Sequence, residues 1–314
     1  MKELLRTTDS VWMSWLTALL SDSDIEAIVL EGHTSVLEGS AMAISRRLCV
    51  IDEAYNHAVR VLVAAGELDA PLPSDDAFLG GRIVLKQPET GFRAAVDPVF
   101  LAAATPMVAG RVLDVGTGVG TAALCYAYRV PGAQVTGLEI QADLATLARA
   151  NVAANDLRDR VAIVTGDLLA PPAAVVDEPF DHVMANPPYM PLSRGGAPEN
   201  PSRAISMVEG DANLAAWVEF CVSRVKPKGS VTFVHRADRL DDLIGALRTC
   251  DTGGFIVFPL WSGKGRPAKR ILVQARRDVR TPLRLPSGLL LHKDDGGYTQ
   301  AAMDILRDGG ALWL

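Results

Sequence analysis

The sequence predicts a doubly wound α/β sheet preceded by a small α+β domain. Three observations predict it. Short apolar runs alternate with longer amphipathic runs beyond Val112, the pattern of a parallel sheet covered on both faces. The run Arg111–Gly120, RVLDVGTGVG, follows an apolar strand with glycines at alternate positions, Gly116, Gly118 and Gly120. Residues 1–68 have their own β-α-β, then β-α order, which suits a ferredoxin-like sandwich.

In that first domain, Leu4–Arg6 reads as a strand. Ser10 is the expected cap of a helix to Ser21, with Trp12, Trp15, Leu16, Leu19 and Leu20 mostly on one face. Ile25–Leu30 and Arg47–Ile51 read as strands, with one more near Ser35–Leu37. Asp52–Ala65 reads as a helix closed by Gly66. The pair Arg46–Arg47 is a solvated strand start or an RNA contact. Glu67–Asp76, with two prolines and four acids, reads as linker. The expected division is 1–68, a linker over 69–81, and a larger domain over 82–314.

The larger domain opens with a strand, Arg82–Gln87, and a helix, Asp97–Ala104. Strands Val112–Val115, Gln134–Leu138, Val161–Thr165 and Phe180–Ala185 follow, with helices Thr121–Tyr128 and Gln141–Asn155 between them. After the Pro/Gly-rich loop Met190–Asp211, long enough for a substrate lid, come a helix at Ala212–Val225, a strand at Ser230–Val234 and a helix at Leu240–Thr249. Phe255–Phe258 and Ala268–Arg276, the sixth and seventh strands of the sheet, face each other across a polar loop and predict an antiparallel hairpin.

Composition bounds the function. The 314 residues are 49% hydrophobic and 22% charged, which fits a globular chain with a large core. No apolar stretch approaches the ~18 residues of a spanning helix, and the N-terminal run lacks a cleavage site, so a cytoplasmic protein is expected. The cysteines Cys49, Cys125, Cys221 and Cys250 have no C-x-x-C spacing, and the five histidines are scattered, so no metal site is expected. A net charge of −6 argues against indiscriminate nucleic-acid binding but leaves room for a local basic patch.

Glycine turns before a helix let a ligand approach backbone and the free amides of the helix start. An acid about 20 residues later, here Glu139, commonly grips ribose hydroxyls. The spacing is G-x-G-x-G, without G-x-G-x-x-G or a Walker lysine, which disfavours NAD and ATP. With DVGTGVG, GLE, GD and NPPY in hand, the chain resembles class I S-adenosylmethionine-dependent methyltransferases acting on planar nitrogens. GFRAAVDPVFLAAA (Gly91–Ala104), DHVMANPPY (Asp181–Tyr189), HRADRL (His235–Leu240) and the tail LLLHKDDGGYTQAAMDILRDGGAL narrow this to the family that methylates adenine N6 in tRNA-valine. In the first domain, LLRTTD, IEAIVLEG, SVLEGS, RRLCVIDEA and AVRVLVAAG resemble a small bacterial signal-transducing-type domain, which implies a fold rather than an activity.

The resemblance implies a Rossmann-like sheet ending in the antiparallel sixth–seventh strand hairpin, S-adenosyl-L-methionine as cofactor and tRNA as partner. It implies that Asp114 faces the cofactor's amino or sulfonium group, and that Gly116, Thr117, Gly118 and Gly120 bring backbone to the methionine part. Glu139 would accept from the ribose hydroxyls and Asp167 from the exocyclic amine, with Ile140 or Leu168 on the adenine. Phe92, Arg93 and Asp97 are expected to form a wall near cofactor or acceptor. Asn186, Pro187, Pro188 and Tyr189 would hold the acceptor: the Asn186 side-chain oxygen and the Pro187 carbonyl accept the amine hydrogens, the prolines stiffen the turn, and Tyr189 stacks on the base. The same four residues can hold a glutamine amide, so a protein-glutamine or small-molecule N-methyltransferase is the first alternative, and a non-catalytic RNA- or ligand-binding protein the second. Candidate RNA contacts are Arg194, Arg203, Arg236, Arg239, Lys264, Arg266, Lys269 and Arg270.

Overall fold

In the computed structural model, which describes all residues except 32–45, 52–53, 69–73, 89–93 and 190–208, the chain divides into two units. The first contains Met1–Leu72 and the second begins at Pro73.

The first unit carries β1 (Lys2–Thr7), α1 (Ser10–Ser21), β2 (Ala27–Glu31), β3 (Arg46–Val50) and α2 (Tyr55–Ala64). Its sheet is antiparallel in the order β1-β3-β2. Met13, Leu16 and Leu20 of α1 and Ala58 and Leu62 of α2 pack on Leu48 and Val50. The cap of α1 is Asp9, not Ser10: its carboxylate accepts from the amides of Val11 and Trp12 at 2.9 and 3.0 Å. A charged acceptor one residue upstream also complements the positive helix end, so Ser10 becomes the first helical residue. The indoles of Trp12 and Trp15 both donate to Glu67, at 2.6 and 2.7 Å. Arg47 lies 3.7 Å from Glu3 rather than standing alone. The strand expected near Ser35–Leu37 lies outside the described residues.

The second unit starts inside the stretch read as linker. Ser74–Phe78 forms β4, antiparallel to β5 (Ile83–Gln87). Acid content hid this strand; the Gln87 amide donates to Asp76 at 2.6 Å and removes the cost of one of those acids. Then come α3 (Asp97–Ala104), β6 (Arg111–Val115), α4 (Thr121–Arg129), β7 (Gln134–Glu139), α5 (Ala142–Ala154), β8 (Val161–Thr165), a short α6 (Ala173–Val176) and β9 (Phe180–Ala185). They are followed by α7 (Leu214–Arg224), β10 (Val225–Arg236), α8 (Leu240–Thr249), β11 (Thr252–Trp261), β12 (Arg270–Arg277), β13 (Leu289–Leu290) and α9 (Gln300–Leu306).

Among the described residues eight strands form one sheet, ordered β13-β11-β12-β10-β9-β6-β7-β8. The strands β10, β9, β6, β7 and β8 are parallel, and β12 runs antiparallel to both β10 and β11, as the hairpin expectation requires. Alternation along each strand feeds two cores. Val112, Val135, Met184 and Val234 face α3 and α4 (Phe100, Leu101, Leu124, Tyr126). Leu113, Val115, Val183, Val231 and Phe233 face α7 and α8 (Trp217, Val218, Leu243, Leu247). Neither the two-residue β13 nor α9 was expected: β13 has too short an apolar run to carry a period, and α9 is held by Ala302 and Ile305 reaching the first core. Cys49, Cys125 and Cys221 are buried free thiols and Cys250 is partly exposed. No helix among the described residues is long and apolar enough to cross a membrane.

His182 of β9 is fully buried, with Nδ1 2.7 Å from Ser230 Oγ and, among the described residues, no partner on Nε2. Burial pushes its pKa down to about 3. The folded chain therefore keeps it neutral where the unfolded chain protonates it, so stability is lost as pH falls below about 6.5. The His182→Gln variant should lose about 1 kcal/mol less than wild type between pH 6 and pH 5, measured by urea unfolding. Equal losses would show that the imidazole takes its proton in the folded state.

Candidate active site

Ligands bind open α/β sheets outside the carboxyl ends of the strands. Here β6, β7, β8 and β9 end together, and a cavity of about 400 Å³ opens there. Its walls are Val115 at the end of β6 and Gly116 after it, Leu138, Ile140 and Gln141 around the end of β7, Gly166–Leu169 after β8, and Pro188 after β9. Gly210, Asp211, Ala212 and Trp217 close the remaining side.

The glycine turn is shaped by backbone rather than side chains. Gly116, Gly118 and Gly120 all have positive φ, at 70°, 58° and 90°. The amides of Gly116 and Thr117 donate to the Leu138 carbonyl at 2.8 and 3.0 Å, which ties the turn to β7. A Cβ on Gly116 would stand 2.6 Å from the Trp217 ring, so position 116 needs glycine for conformation and for space.

Two acids sit beside the cavity wall. Asp114 is 2% exposed and accepts from Thr117 Oγ1 at 2.6 Å. Burial pushes its pKa up to about 7, against the hydrogen bonds from Thr117 and the Ala123 backbone. Glu139 is 4% exposed; its oxygens accept from the amides of Gly118 at 2.8 Å and Gln141 at 2.9 Å. Burial raises its pKa too, opposed by those amides. Buried carboxyls without a protein cation favour a ligand that brings positive charge or hydroxyl donors. Asp167 accepts from the Leu169 amide at 2.9 Å, an Asx turn that turns the chain along the cavity wall.

Residues 186–189 leave β9 at the same edge. Pro187 and Pro188 are buried, while Asn186 and Tyr189 are partly exposed. Among the described residues the Asn186 carboxamide makes no hydrogen bond. The guanidinium of Arg270 lies 5.0 Å from the Tyr189 ring centroid, and Arg270 Nε donates to Asp97 Oδ2 at 2.8 Å. Asp97 thus joins Tyr189 through Arg270. Phe92, Arg93, Arg194, Arg203 and most of the loop Met190–Asp211 lie outside the described residues.

The basic candidates separate. Lys264, Arg266 and Lys269 are exposed in the β11–β12 loop, without an ion pair among the described residues. Arg236 is paired with Asp238 at 2.5 Å. Arg239 is not a surface contact: it is 11% exposed and paired with Glu209 and Asp242, because α8 begins there and folds it inward. Sequence reasoning missed Trp217, whose period in α7 reads as core, and Asp211, which sits in a loop without a motif. It also missed His235 as a separate feature. That ring is 2% exposed and has no partner on either nitrogen among the described residues; its pKa is held down to about 4 by burial and by the charges of Arg239 and Arg270. Among the described residues no group of three or more His, Cys, Asp or Glu side chains could hold a metal ion.

Gly116→Ala should cost about 2–4 kcal/mol in urea unfolding, from positive φ plus the clash with Trp217. Adding Trp217→Phe should recover part of that loss. No recovery would place the strain in the backbone alone.

Two family models match. One, described as "Putative prokaryotic signal transducing protein", covers residues 1–66; the other, "Methyltransferase small domain", covers 97–212. A tRNA1(Val) (adenine(37)-N6)-methyltransferase of Porphyromonas gingivalis is 33% identical over 177 residues, 54% of this chain and 68% of the relative. Its counterpart in Aeromonas hydrophila is 26% identical over 210 residues, 66% and 85% of the two chains. A release factor glutamine methyltransferase of Chlorobaculum tepidum is 35% identical over 117 residues, 36% of this chain and 40% of that protein. The fold is that of a predicted O-methyltransferase from Agrobacterium tumefaciens, with a TM-score of 0.57 at 23% identity, covering 69% of this chain and 99% of that one. With these matches, and with the glycine turn, the buried acids and the NPPY turn gathered at one sheet edge, the chain belongs to the tRNA1(Val) (adenine(37)-N6)-methyltransferase family and is an S-adenosylmethionine-dependent methyltransferase.

Proposed function

We propose that this chain methylates the exocyclic N6 of an adenine in tRNA. The observation that carries the reading is the position of Asn186–Tyr189 directly after β9, with Pro188 in the cavity wall shared by Val115 and Ile140, the chain neighbours of Asp114 and Glu139.

The residues present fit the cofactor. Apolar Leu138, Ile140 and Leu168 suit an adenine ring, and Asp167 suits its amine. Glu139 suits paired ribose hydroxyls, and Asp114 suits a cation. Gly116, Thr117, Gly118 and Gly120 keep the turn free of bulk, although the Gly118 amide is already taken by Glu139. Bound there, the cofactor supplies an electrophilic methyl group on a sulfonium.

The protein's own task is the acceptor. An aryl amine is a poor nucleophile because its lone pair is delocalised into the ring. The Asn186 side-chain oxygen and the Pro187 carbonyl would accept its two hydrogens and draw the nitrogen toward tetrahedral geometry. The two prolines that follow Asn186 hold both acceptors in a stiff turn, which makes positioning the main source of rate. Tyr189 would stack on the base, which must be unstacked from RNA, a small cost in a single-stranded loop. No strong general base is needed, because the proton can leave after transfer.

A glutamine amide poses the same chemical problem, and the Chlorobaculum relative is named for it. The basic loop favours RNA: exposed Lys264, Arg266 and Lys269 lead directly into Arg270, which touches Tyr189. Phosphate contacts beside the acceptor motif are useful to an RNA enzyme and have no evident use on a glutamine side chain. A first domain ending near residue 68 and a cytoplasmic site of action are kept as part of this reading, with the expected linker cut short by β4.

The test is label transfer from radiolabelled S-adenosylmethionine to unmodified small RNA and to protein, offered separately. Label recovered as N6-methyladenosine is expected from wild type. Asn186→Ala should bind the cofactor normally and lose at least a hundredfold in transfer. Label in protein alone would move the acceptor to a glutamine amide, and full activity in the variant would refute the acceptor geometry.

A further inference from the structure

The pair Arg270–Asp97 has a role that its basic charge alone does not suggest. Arg270 opens β12, opposite Arg236 of β10. Its guanidinium lies over one face of Tyr189, 5.0 Å from the centroid, and its Nε is anchored to Asp97 at 2.8 Å. Both partners of the ion pair are largely covered, at 29% and 22% exposed. Asp97 is itself fixed, because it opens α3, whose residues Pro98–Ala104 are all buried. Three elements therefore meet in one chain of contacts: helix α3, strand β12 and the turn after β9.

A phosphate-binding arginine is of most use when exposed and free of a protein anion, as Lys264, Arg266 and Lys269 are. Arg270 differs on both counts. A planar guanidinium over an aromatic face attracts the ring's negative face and restrains its tilt. An aromatic ring offered to an incoming base otherwise loses side-chain freedom on binding, and loose placement costs rate. With one face taken by Arg270, a base that stacks on Tyr189 would use the opposite face.

We propose that Arg270 and Asp97 are positioning residues that fix the Tyr189 ring as a one-sided stacking platform for the acceptor base. This rests on the reading of Tyr189 as the base-stacking residue. It assigns Arg270 to the acceptor site and leaves phosphate contact to the loop before it.

The test combines a readout without substrate and one with it, on the full chain. The chain has five tyrosines, so 3-fluorotyrosine labelling gives five fluorine signals, and Tyr189→Phe identifies the relevant one. Arg270→Gln, Arg270→Lys and Asp97→Asn should each shift or broaden that signal and leave the other four in place. Arg270→Lys keeps the charge beside Asp97 and guards against a loss of folding. In single-turnover methyl transfer, each variant should fall by about tenfold, with RNA affinity and its salt dependence unchanged. In a Tyr189→Ala background the same changes should add no further loss. An unmoved Tyr189 signal overturns the proposal. So does Asp97→Asn behaving as wild type while Arg270→Gln weakens RNA binding and flattens its salt dependence, which would mark a phosphate contact. If the fluorine signal moves but wild type labels no RNA, the platform stands and the RNA reading falls.

Discussion

Everything at the site depends on burying two carboxyls at the ends of adjacent strands. Asp114 closes on Thr117, and Glu139 takes the amides of Gly118 and Gln141. Those bonds are possible only because the intervening turn follows positive φ at alternate residues and hangs from the Leu138 carbonyl. The turn, the acids and the cavity wall are thus one unit. Desolvation keeps both acids hungry for donors or positive charge, which is the state a cation-bearing nucleoside would relieve.

The rest of the sheet delivers the turn Asn186–Tyr189 to that unit. Strand β9 lies beside β6, so residues 186–189 emerge next to the glycine turn. The β11–β12 hairpin folds back along β10 and brings Arg270 to Tyr189. Topology alone therefore sets a cavity, the turn Asn186–Tyr189 and an exposed basic loop along one edge.

Much of this was legible in the sequence because it is local. The glycine turn, the acid at the end of β7 and the NPPY turn depend on neighbours in the chain, and strand–helix alternation gave the parallel sheet. What was not legible depends on distant partners. The strand Ser74–Phe78 looked like linker because its acids gain a partner in Gln87 only after pairing. Arg239 looked exposed until Glu209 and Asp242 met it. Trp217 reads as an ordinary core residue of α7; only the missing Cβ of Gly116 reveals why an indole fits there. Arg270 was one basic residue among several until α3 supplied Asp97.

A crystal structure of the chain with S-adenosylhomocysteine tests the central arrangement most directly. The ligand should fill the cavity between Ile140 and Leu168, with its ribose hydroxyls on Glu139 and its sulfur turned toward Asn186. A ligand bound elsewhere, or one whose sulfur faces away from the turn after β9, would contradict the link between the buried acids and the acceptor motif.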